Sequence, residues 1–397
     1  MSAKTMFTGL SRLADKSFVL GFFLPALVGT LAFLFLNRDI EPFKTLLGEA
    51  AENKAFSNLT VMLLSVWTVA VLLMVGSHSM YRMLEGYVWP LKQPRLREHQ
   101  LERRKQQRQE ARDAYAAMAA AEKRLDEITD AAKRVEQARR LAELRLRYLG
   151  LRRKLALEYP EQRELVLPTR FGNVLRAFEM YPGDVYGVES IHAWPRLLAV
   201  VPKAYQETLA DARAPVDFFV SLVFVSLVLG GIALVRCAAE LPRGFHGIQP
   251  WWFVGACAMA FATSRLCYLA AVSTAIAWGE TVKSAFDLYL PSLATALGYA
   301  LPATTAERRR FWEEWASQFQ FHAPLDLSRW LPAAKAQASG EASAPKVSSS
   351  EDDGSEGEGT PGDDGEGSEE GEEGVRKTDA ADPKVAPSLA YCPESGT

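Results

Sequence analysis

The stretch LTVMLLSVWTVAVLLMVG, residues 59–76, decides the class of fold, because none of its eighteen side chains carries a full charge. With its uncharged flanks, such a helix crosses a hydrocarbon core of about 30 Å at about 1.5 Å per residue. Three further stretches have the same character, at residues 17–36, 218–235 and 251–271, the last interrupted only by Arg265. The sequence therefore predicts an all-α integral membrane protein with four transmembrane helices and excludes a soluble globular protein.

The apolar stretches form two pairs separated by a large polar insert, which predicts a two-plus-two arrangement. The predicted order is a cytoplasmic N-terminus at 1–16, the first transmembrane helix at 17–36, an outward loop at 37–54, the second transmembrane helix at 55–81, a basic long helix or coiled coil at 82–157, a cytoplasmic helical and turn segment at 158–215, the third transmembrane helix at 216–236, an outward loop at 237–250, the fourth transmembrane helix at 251–273, cytoplasmic helices at 274–334 and a disordered acidic tail at 335–397.

Basic residues flank the first pair of apolar stretches on one side, and such residues retain short loops in the cytoplasm during insertion. They precede the first stretch and follow the second: Lys4, Arg12, Lys16, Arg82, Lys92, Arg95 and Arg97. We therefore predict that both termini and the central insert are cytoplasmic. On the first predicted span, Gly21, Pro25 and Gly29 share a face, which favours close helix packing inside one chain.

Charge is segregated along the chain, although the net charge is only −3. Residues 351–373 contain twelve acidic side chains and no Lys or Arg, so the rest of the chain carries +9. A basic body suits the anionic face of a membrane, and we expect anionic lipid as a partner. The tail from 335 holds too little apolar surface to offset chain entropy, so we expect it to be disordered.

The insert contains neither Pro nor Gly between Arg95 and Gly150, which predicts a helix up to about 80 Å long. A heptad pattern places a set of mostly apolar side chains on one face and predicts a helix–helix interface: Met118, Leu125, Ile128, Val135, Leu146 and Leu149. This face can bind a protein partner or a second copy, pack on the same chain, or fold back as a hairpin. No nucleic acid is expected, because the basic part lacks interleaved aromatics.

Basic and aromatic residues near the predicted membrane surface are candidate lipid contacts. Arg265 lies fourteen residues beyond Trp251, within reach of the inner headgroups. The predicted lipid or interface residues are Arg95, Arg97, Arg103, Arg104, Arg265, Arg308, Arg309, Arg310, Trp251 and Trp252.

Chemistry-bearing residues are sparse. Asp184, Glu189 and His192 are the catalytic candidates, because they could supply acid and base roles, but no nucleophile motif, P-loop or HExxH accompanies them. We predict no enzyme, no cofactor and no metal. Turn chemistry at residues 181–184 predicts the end of an amphipathic helix that begins near Arg170.

Two further expectations concern the region after the fourth span. Pro291 is expected to break the helix that leaves the membrane. Thr304 and Glu307 form a capping-box pattern that predicts another helix through about Gln320. Its aromatic face is expected to pack on the basic stalk, the part of the predicted long helix at Lys92 to Arg112.

Three segments carry a family resemblance: PTRFGNVLRAFE, YGVESIHAWPRL and AFDLYLPSLATALG with ERRRFWEEW. They resemble an uncharacterised group of bacterial multi-pass membrane proteins that share P-T-R-x-G-N, W-P-R-L and A-F-D-L arrangements. The likeness covers residues 167–315 and implies a bacterial cytoplasmic (inner) membrane location, with no activity to transfer. The predicted function is a membrane-anchored scaffold, sensor or interaction protein. The alternatives are an oligomeric channel or pore-forming effector and, behind it, a membrane-face enzyme.

Overall fold

The computed structural model describes residues 16–41, 43, 55–240 and 249–321, and this part of the chain is helical with no strand. The helices are α1 (Lys16–Leu36), α2 (Ala55–Glu85), α3 (Pro94–Glu127), α4 (Ala131–Glu158), α5 (Arg170–Tyr186), α6 (Ser190–Val200), α7 (Lys203–Glu240), α8 (Gln249–Ala296) and α9 (Thr305–Phe321). Residues 1–15, 42, 44–54, 241–248 and 322–397 lie outside the described residues, and so does the predicted acidic tail.

Four of these helices are long and apolar enough to cross a membrane, which confirms the all-α class and the four apolar spans. The apolar helices cover Lys16–Leu36, Asn58–Glu85, Lys203–Ala239 and Trp251–Ala296. The third and fourth are longer than the apolar stretches suggested. Their polar extensions stay helical because they share one buried core with α5, α6 and α9.

The apolar helices pack closely where side chains are small. α7 lies along α8, and α1 packs on α7 and α2. A Cβ at Gly29 would lie 2.5 Å from Val225 Cγ1, and one at Gly21 would lie 3.0 Å from Asp217 Cβ. The expected small-residue contact inside one chain is confirmed.

Two predicted helix breaks are wrong. α5 continues through Pro182 to Tyr186 and is ended by Gly187, whose φ of 77° suits a residue without a Cβ. α8 likewise continues through Pro291. An interior proline costs about 3 kcal/mol, but each of these helices buries core side chains along its length, including Leu290 and Leu293 on either side of Pro291. Burial of such side chains, at about 1.5–3 kcal/mol each, offsets the lost hydrogen bond.

α5 is the centre of the fold because every residue from Phe171 to Glu179 is buried. The Thr169 hydroxyl accepts a hydrogen bond from the Gly172 amide and donates one to the Leu84 carbonyl at 2.6 Å. Asn173 bonds the Leu167 backbone at both its amide and its carbonyl. The helix is therefore held by hydrogen bonds at its start and is enclosed by neighbouring helices on both faces.

The predicted capping box of α9 is confirmed by a 3.3 Å bond from the Glu307 amide to the Thr304 hydroxyl. The predicted packing of this helix on the basic stalk is wrong. Phe311, Trp312 and Trp315 are buried in the core with α5 and α6. The rings at 312 and 315 meet edge to face at 5.4 Å.

The predicted long helix is divided into α3 and α4, which lie against each other as a helical hairpin. The connection is only three residues, Ile128, Thr129 and Asp130, and it contains neither Gly nor Pro. Asp130 starts α4, because its carboxylate accepts hydrogen bonds from the amides of Ala132 and Lys133. The expectation of one continuous helix is therefore wrong, and the fold-back that the sequence left open is the structure.

Substituting Asp130 by alanine should destabilise the start of α4 by about 1 kcal/mol, because two helix-end amides lose their acceptor. Hydrogen exchange of the amides at 132–134 should speed up about fivefold. The matched variant Asp126→Ala, near the end of α3, should leave these rates unchanged. Equal protection in both variants would contradict the assigned cap.

Candidate functional site: the helical hairpin and its basic cleft

The residues on the inner face of the hairpin recur with heptad spacing, and those on α3 include three alanines. On α3 the buried members are Gln100, Arg104, Ala111, Ala114 and Ala121. On α4 the half-buried members recur at alternating intervals of four and three residues: Gln137, Leu141, Leu144, Tyr148, Leu151 and Leu155. The alanines allow the two helices to approach closely, as in a coiled-coil seam.

Two contacts fix the register of the seam. The Gln137 side-chain amide donates to the Ala121 carbonyl at 3.0 Å. The rings of Tyr115 and Tyr148 lie 5.3 Å apart.

The predicted helix–helix residues differ in exposure on the two sides of the connection between α3 and α4. Met118, Leu125 and Ile128 are half-buried at the end of α3 and in the connection. On α4 the predicted residues face outward: Val135 is 73%, Leu146 71% and Leu149 50% exposed. The reason is that the three-residue connection shifts the heptad register, so that a different set of α4 residues faces α3.

This shift leaves an apolar surface on the outside of the hairpin. We call it the outer stripe, and it consists of Val135, Ala138, Ala142, Leu146 and Leu149, all exposed. These residues follow one another at intervals of three or four, so they lie along one side of α4.

The hairpin is anchored at its base to the segment that leads into α5. The Arg97 guanidinium donates to the carbonyls of Val166 at 2.9 Å and Glu164 at 3.0 Å. Glu158 accepts hydrogen bonds from Gln107 and Arg170, each at 3.1 Å. Because Arg170 begins α5, these bonds connect the hairpin to the centre of the fold.

Several predicted lipid contacts have protein partners. Arg104 is only 7% exposed and bonds the Glu161 carbonyl. Arg97 is likewise occupied at the hairpin base. Arg95 is exposed and Arg103 is half-buried.

The remaining predicted lipid contacts lie in α8 and α9. Arg308 bonds the Pro302 carbonyl, Arg309 bonds the Asp184 carbonyl at 2.9 Å, and Arg310 bonds Glu314. Arg265 is exposed, with its guanidinium 5.8 Å from the centre of the Tyr268 ring. Trp251 and Trp252 are exposed.

A basic cleft opens where the hairpin meets residues 159–163. One part has a volume of about 500 Å³ and is lined by both helices and this segment. An adjoining part, of about 330 Å³, lies over α3 and Arg163. The chemistry-bearing residues of the two parts are Arg104, Lys105, Arg108, Arg112, Arg152, Arg163, Tyr115, Tyr148, Tyr159, Glu102 and Glu161.

The electrostatics of the cleft are dominated by positive charge. Burial lowers the pKa of the Arg104 guanidinium, and the neighbouring positive charge of Arg108 lowers it further, while Glu161 opposes both effects. Burial also raises the pKa of the Tyr159 hydroxyl, which donates to the side-chain amide oxygen Oε1 of Gln100 at 3.0 Å. The cleft can therefore attract an anion, because its positive charges are close together and incompletely neutralised.

The candidate catalytic residues are only partly brought together. His192 Nδ1 lies 2.7 Å from Glu189 Oε2, one turn apart at the start of α6. Asp184 is exposed near the end of α5, and partial burial raises the pKa of its carboxyl group. A cavity of about 320 Å³ is lined by Glu189 and Glu313 and does not include His192. We find no nucleophile, acid and base arranged around a common point at these residues.

A buried charged group beside α5 escaped the sequence analysis. Arg176 lies 3.7 Å from Glu179 and bonds the Tyr87 hydroxyl, with Glu85 also buried. Burial raises the pKa of Tyr87 to about 12, while Arg176 opposes this rise. Burial alone would lower the pKa of Arg176, but Glu179, Tyr87 and Glu85 outweigh it and raise that pKa.

A second buried charged group lies inside the apolar bundle. Asp217 of α7 accepts a hydrogen bond from the Tyr81 hydroxyl of α2 at 2.7 Å and pairs with Arg213 at 3.3 Å. The Arg213 guanidinium also lies 5.8 Å from the centre of the Trp278 ring. The signal for this group was an acidic residue at the start of the predicted third span, whereas its partner Arg213 falls in the segment predicted to be cytoplasmic.

Within the described residues, no group of three or more His, Cys, Asp or Glu side chains is arranged to hold a metal ion. A comparison of the chain with protein-family models, curated proteins and solved structures finds no match.

Proposed function

We propose that this chain is a membrane-anchored interaction protein that presents its helical hairpin to a protein partner. The observation that carries the proposal is the outer stripe. Three of its side chains, Val135, Leu146 and Leu149, are at least half exposed on a hairpin whose base is anchored to the segment that leads into α5. Exposed apolar faces on an anchored helix are typical of binding surfaces.

The proposed setting is a bacterial cytoplasmic membrane in a two-plus-two arrangement. The hairpin follows the second apolar helix and precedes the third, so both ends of the insert lie on one side of the membrane. The basic residues that flank these helices favour the cytoplasmic side, where both termini would also lie. Anionic lipid headgroups would contact the exposed arginines near the hairpin base, such as Arg95.

The partner surface that fits the outer stripe is an amphipathic helix, because apolar side chains at intervals of three and four match helix-to-helix packing. Basic residues flank the stripe along α4, including Arg139 and Arg145. A partner helix with acidic flanks would therefore complement this face. Self-association through the same stripe is the second form of the proposal, with α4 of another copy as the partner helix.

The triple variant Val135→Ser, Leu146→Gln and Leu149→Gln tests the proposal. We expect affinity purification of the intact chain in mild detergent to retain a partner, or a second copy, that the variant loses by about tenfold or more. A matched control replaces three exposed charged residues of the same helix by alanine: Glu136, Arg140 and Arg147. The control should retain the partner, as measured by mass spectrometry and native mass. Equal retention by the triple variant would contradict the proposal.

A channel or pore-forming effector is the second candidate function, and the buried Asp217 group favours it. Ionisable side chains among membrane helices are rare and commonly mark ion or proton pathways. Here the carboxylate is paired with Arg213 and Tyr81, which also suits a structural role. Conductance of liposomes containing the protein, abolished in Asp217→Asn, would support the channel, whereas electrically silent liposomes would exclude it.

A further inference from the structure

We propose that the basic cleft of the hairpin binds a nucleotide, with the phosphates among its arginines and the base against its tyrosines. The two parts of the cleft have volumes of about 500 and 330 Å³. These lie within the range of about 300–1,000 Å³ that is usual for small-molecule sites. The site involves a different set of residues from the outer stripe, so it goes beyond the interaction proposed above.

The charge of the cleft exceeds what the protein itself neutralises. Six basic side chains line it against two acidic ones. Glu161 pairs with Arg108 at 3.2 Å, and Glu102 lies 3.9 Å from Lys105. Among the described residues, Arg112 and Arg163 have no ion pair. Arginine suits phosphate because its planar fork donates two parallel hydrogen bonds.

A buried, incompletely bonded donor lies in the same place. Arg104 is 7% exposed and lines both parts of the cleft. One of its terminal nitrogens bonds the Glu161 carbonyl, but its buried Nε has no hydrogen-bond partner in the described structure. A buried polar atom without a partner is costly and calls for an acceptor. A phosphate oxygen supplies one, together with the negative charge that the arginines lack.

The aromatic wall distinguishes a nucleotide from other anions. Tyr115 and Tyr148 form a ring pair beside the arginines, and Tyr159 closes the same part of the cleft. Tyr115 is 52% exposed, so its ring is accessible for stacking. The acidic segment at 351–373 contains no aromatic residue, and inorganic phosphate or a lipid headgroup phosphate has no ring to stack. A phosphate-bearing ligand with an aromatic base contacts both the arginines and the tyrosines of the cleft.

The test is calorimetric titration of the full-length protein in phosphatidylcholine nanodiscs with ATP, pyrophosphate and adenosine. We expect saturable ATP binding that is tighter than that of either fragment. Arg112→Gln and Arg163→Gln should each weaken ATP and pyrophosphate binding about tenfold, because each removes a charged phosphate donor. Tyr115→Leu should weaken ATP binding about tenfold and leave pyrophosphate binding unchanged.

The matched control is Arg140→Gln, an exposed arginine of α4 that does not line the cleft. This variant should bind ATP as the natural chain does, and helical circular dichroism should be equal in all variants. The proposal is overturned by absence of saturable ATP binding at about 1 mM, or by unchanged binding in both arginine variants. Pyrophosphate binding as tight as that of ATP would also overturn it. If ATP binds only after removal of 351–397, the acidic tail occupies the cleft in the intact chain, and the proposal is overturned for that chain.

Discussion

Replacing Asp217 by alanine should lower the free energy of unfolding by about 3–5 kcal/mol, the range measured when one partner of a buried ion pair is removed. The side chain of Asp217 is 10% exposed and that of Arg213 is 26% exposed. The substitution leaves Arg213 without its carboxylate and Tyr81 without its acceptor, at a position enclosed by three apolar helices. Chemical unfolding in mixed micelles measures the change.

A second carboxylate of the same helix provides the control. Asp211 pairs with Lys16 at 2.9 Å, but the two side chains are 53% and 74% exposed. Solvent screens such a pair, so Asp211→Ala should cost less than about 1 kcal/mol. If the two alanine variants were equally stable, Asp217 would not hold α7 to α2 as described.

Gly172→Ala should destabilise the protein by about 2 kcal/mol, although alanine is the better helix former. A Cβ at this position would lie 2.5 Å from the Glu85 carbonyl oxygen and 2.9 Å from its Cα. These are backbone atoms and cannot rotate away, so α5 and the end of α2 must separate. Such overpacking costs about 1–3 kcal/mol or more, against a propensity gain of about 1 kcal/mol.

Gly150→Ala is the matched substitution, because Gly150 is also inside a helix and a Cβ there meets nothing within 4 Å. Here only the propensity gain acts, and we expect stabilisation by about 0.5–1 kcal/mol. Thermal unfolding of both variants checks the opposite signs. Stabilisation by both substitutions would show that α5 does not contact α2 closely.

The four long apolar helices were predictable because an uncharged run of eighteen or more residues has few other uses than crossing a membrane. The ends of these helices were not predictable from the sequence. Residues before 218 and after 271 mix polar and apolar side chains, and they remain helical only because they pack on α5, α6 and α9. Helix breaks were wrongly predicted at Pro182 and Pro291 for the same reason, since local rules for proline do not include tertiary burial.

The sequence did not decide between one long helix and a hairpin, because the connection between α3 and α4 lacks the usual turn residues. Ile128 and Thr129 do not signal a turn, and Asp130 acts as a helix cap only once the chain has reversed. The heptad pattern was therefore extended through the connection. It placed Val135, Leu146 and Leu149 on the inner face, whereas the structure exposes them.

The cleft was not predictable from spacing alone. Arg104, Arg108 and Arg112 recur every four residues on one helix, which is typical of a solvated basic face. Their neighbours Tyr148 and Arg163 come from distant parts of the sequence. The combination appears only when α4 folds back on α3.

The hairpin is the central claim, because both the outer stripe and the basic cleft exist only if α4 reverses on α3. The most direct measurement is a spin-label distance between positions 115 and 148 in the full-length protein in lipid nanodiscs, with the four native cysteines replaced by serine. The Tyr115 and Tyr148 rings are 5.3 Å apart, so we expect labels within about 20 Å, allowing for their linkers. A continuous helix would separate these positions by about 50 Å, at about 1.5 Å per residue. A distribution centred there would contradict the account.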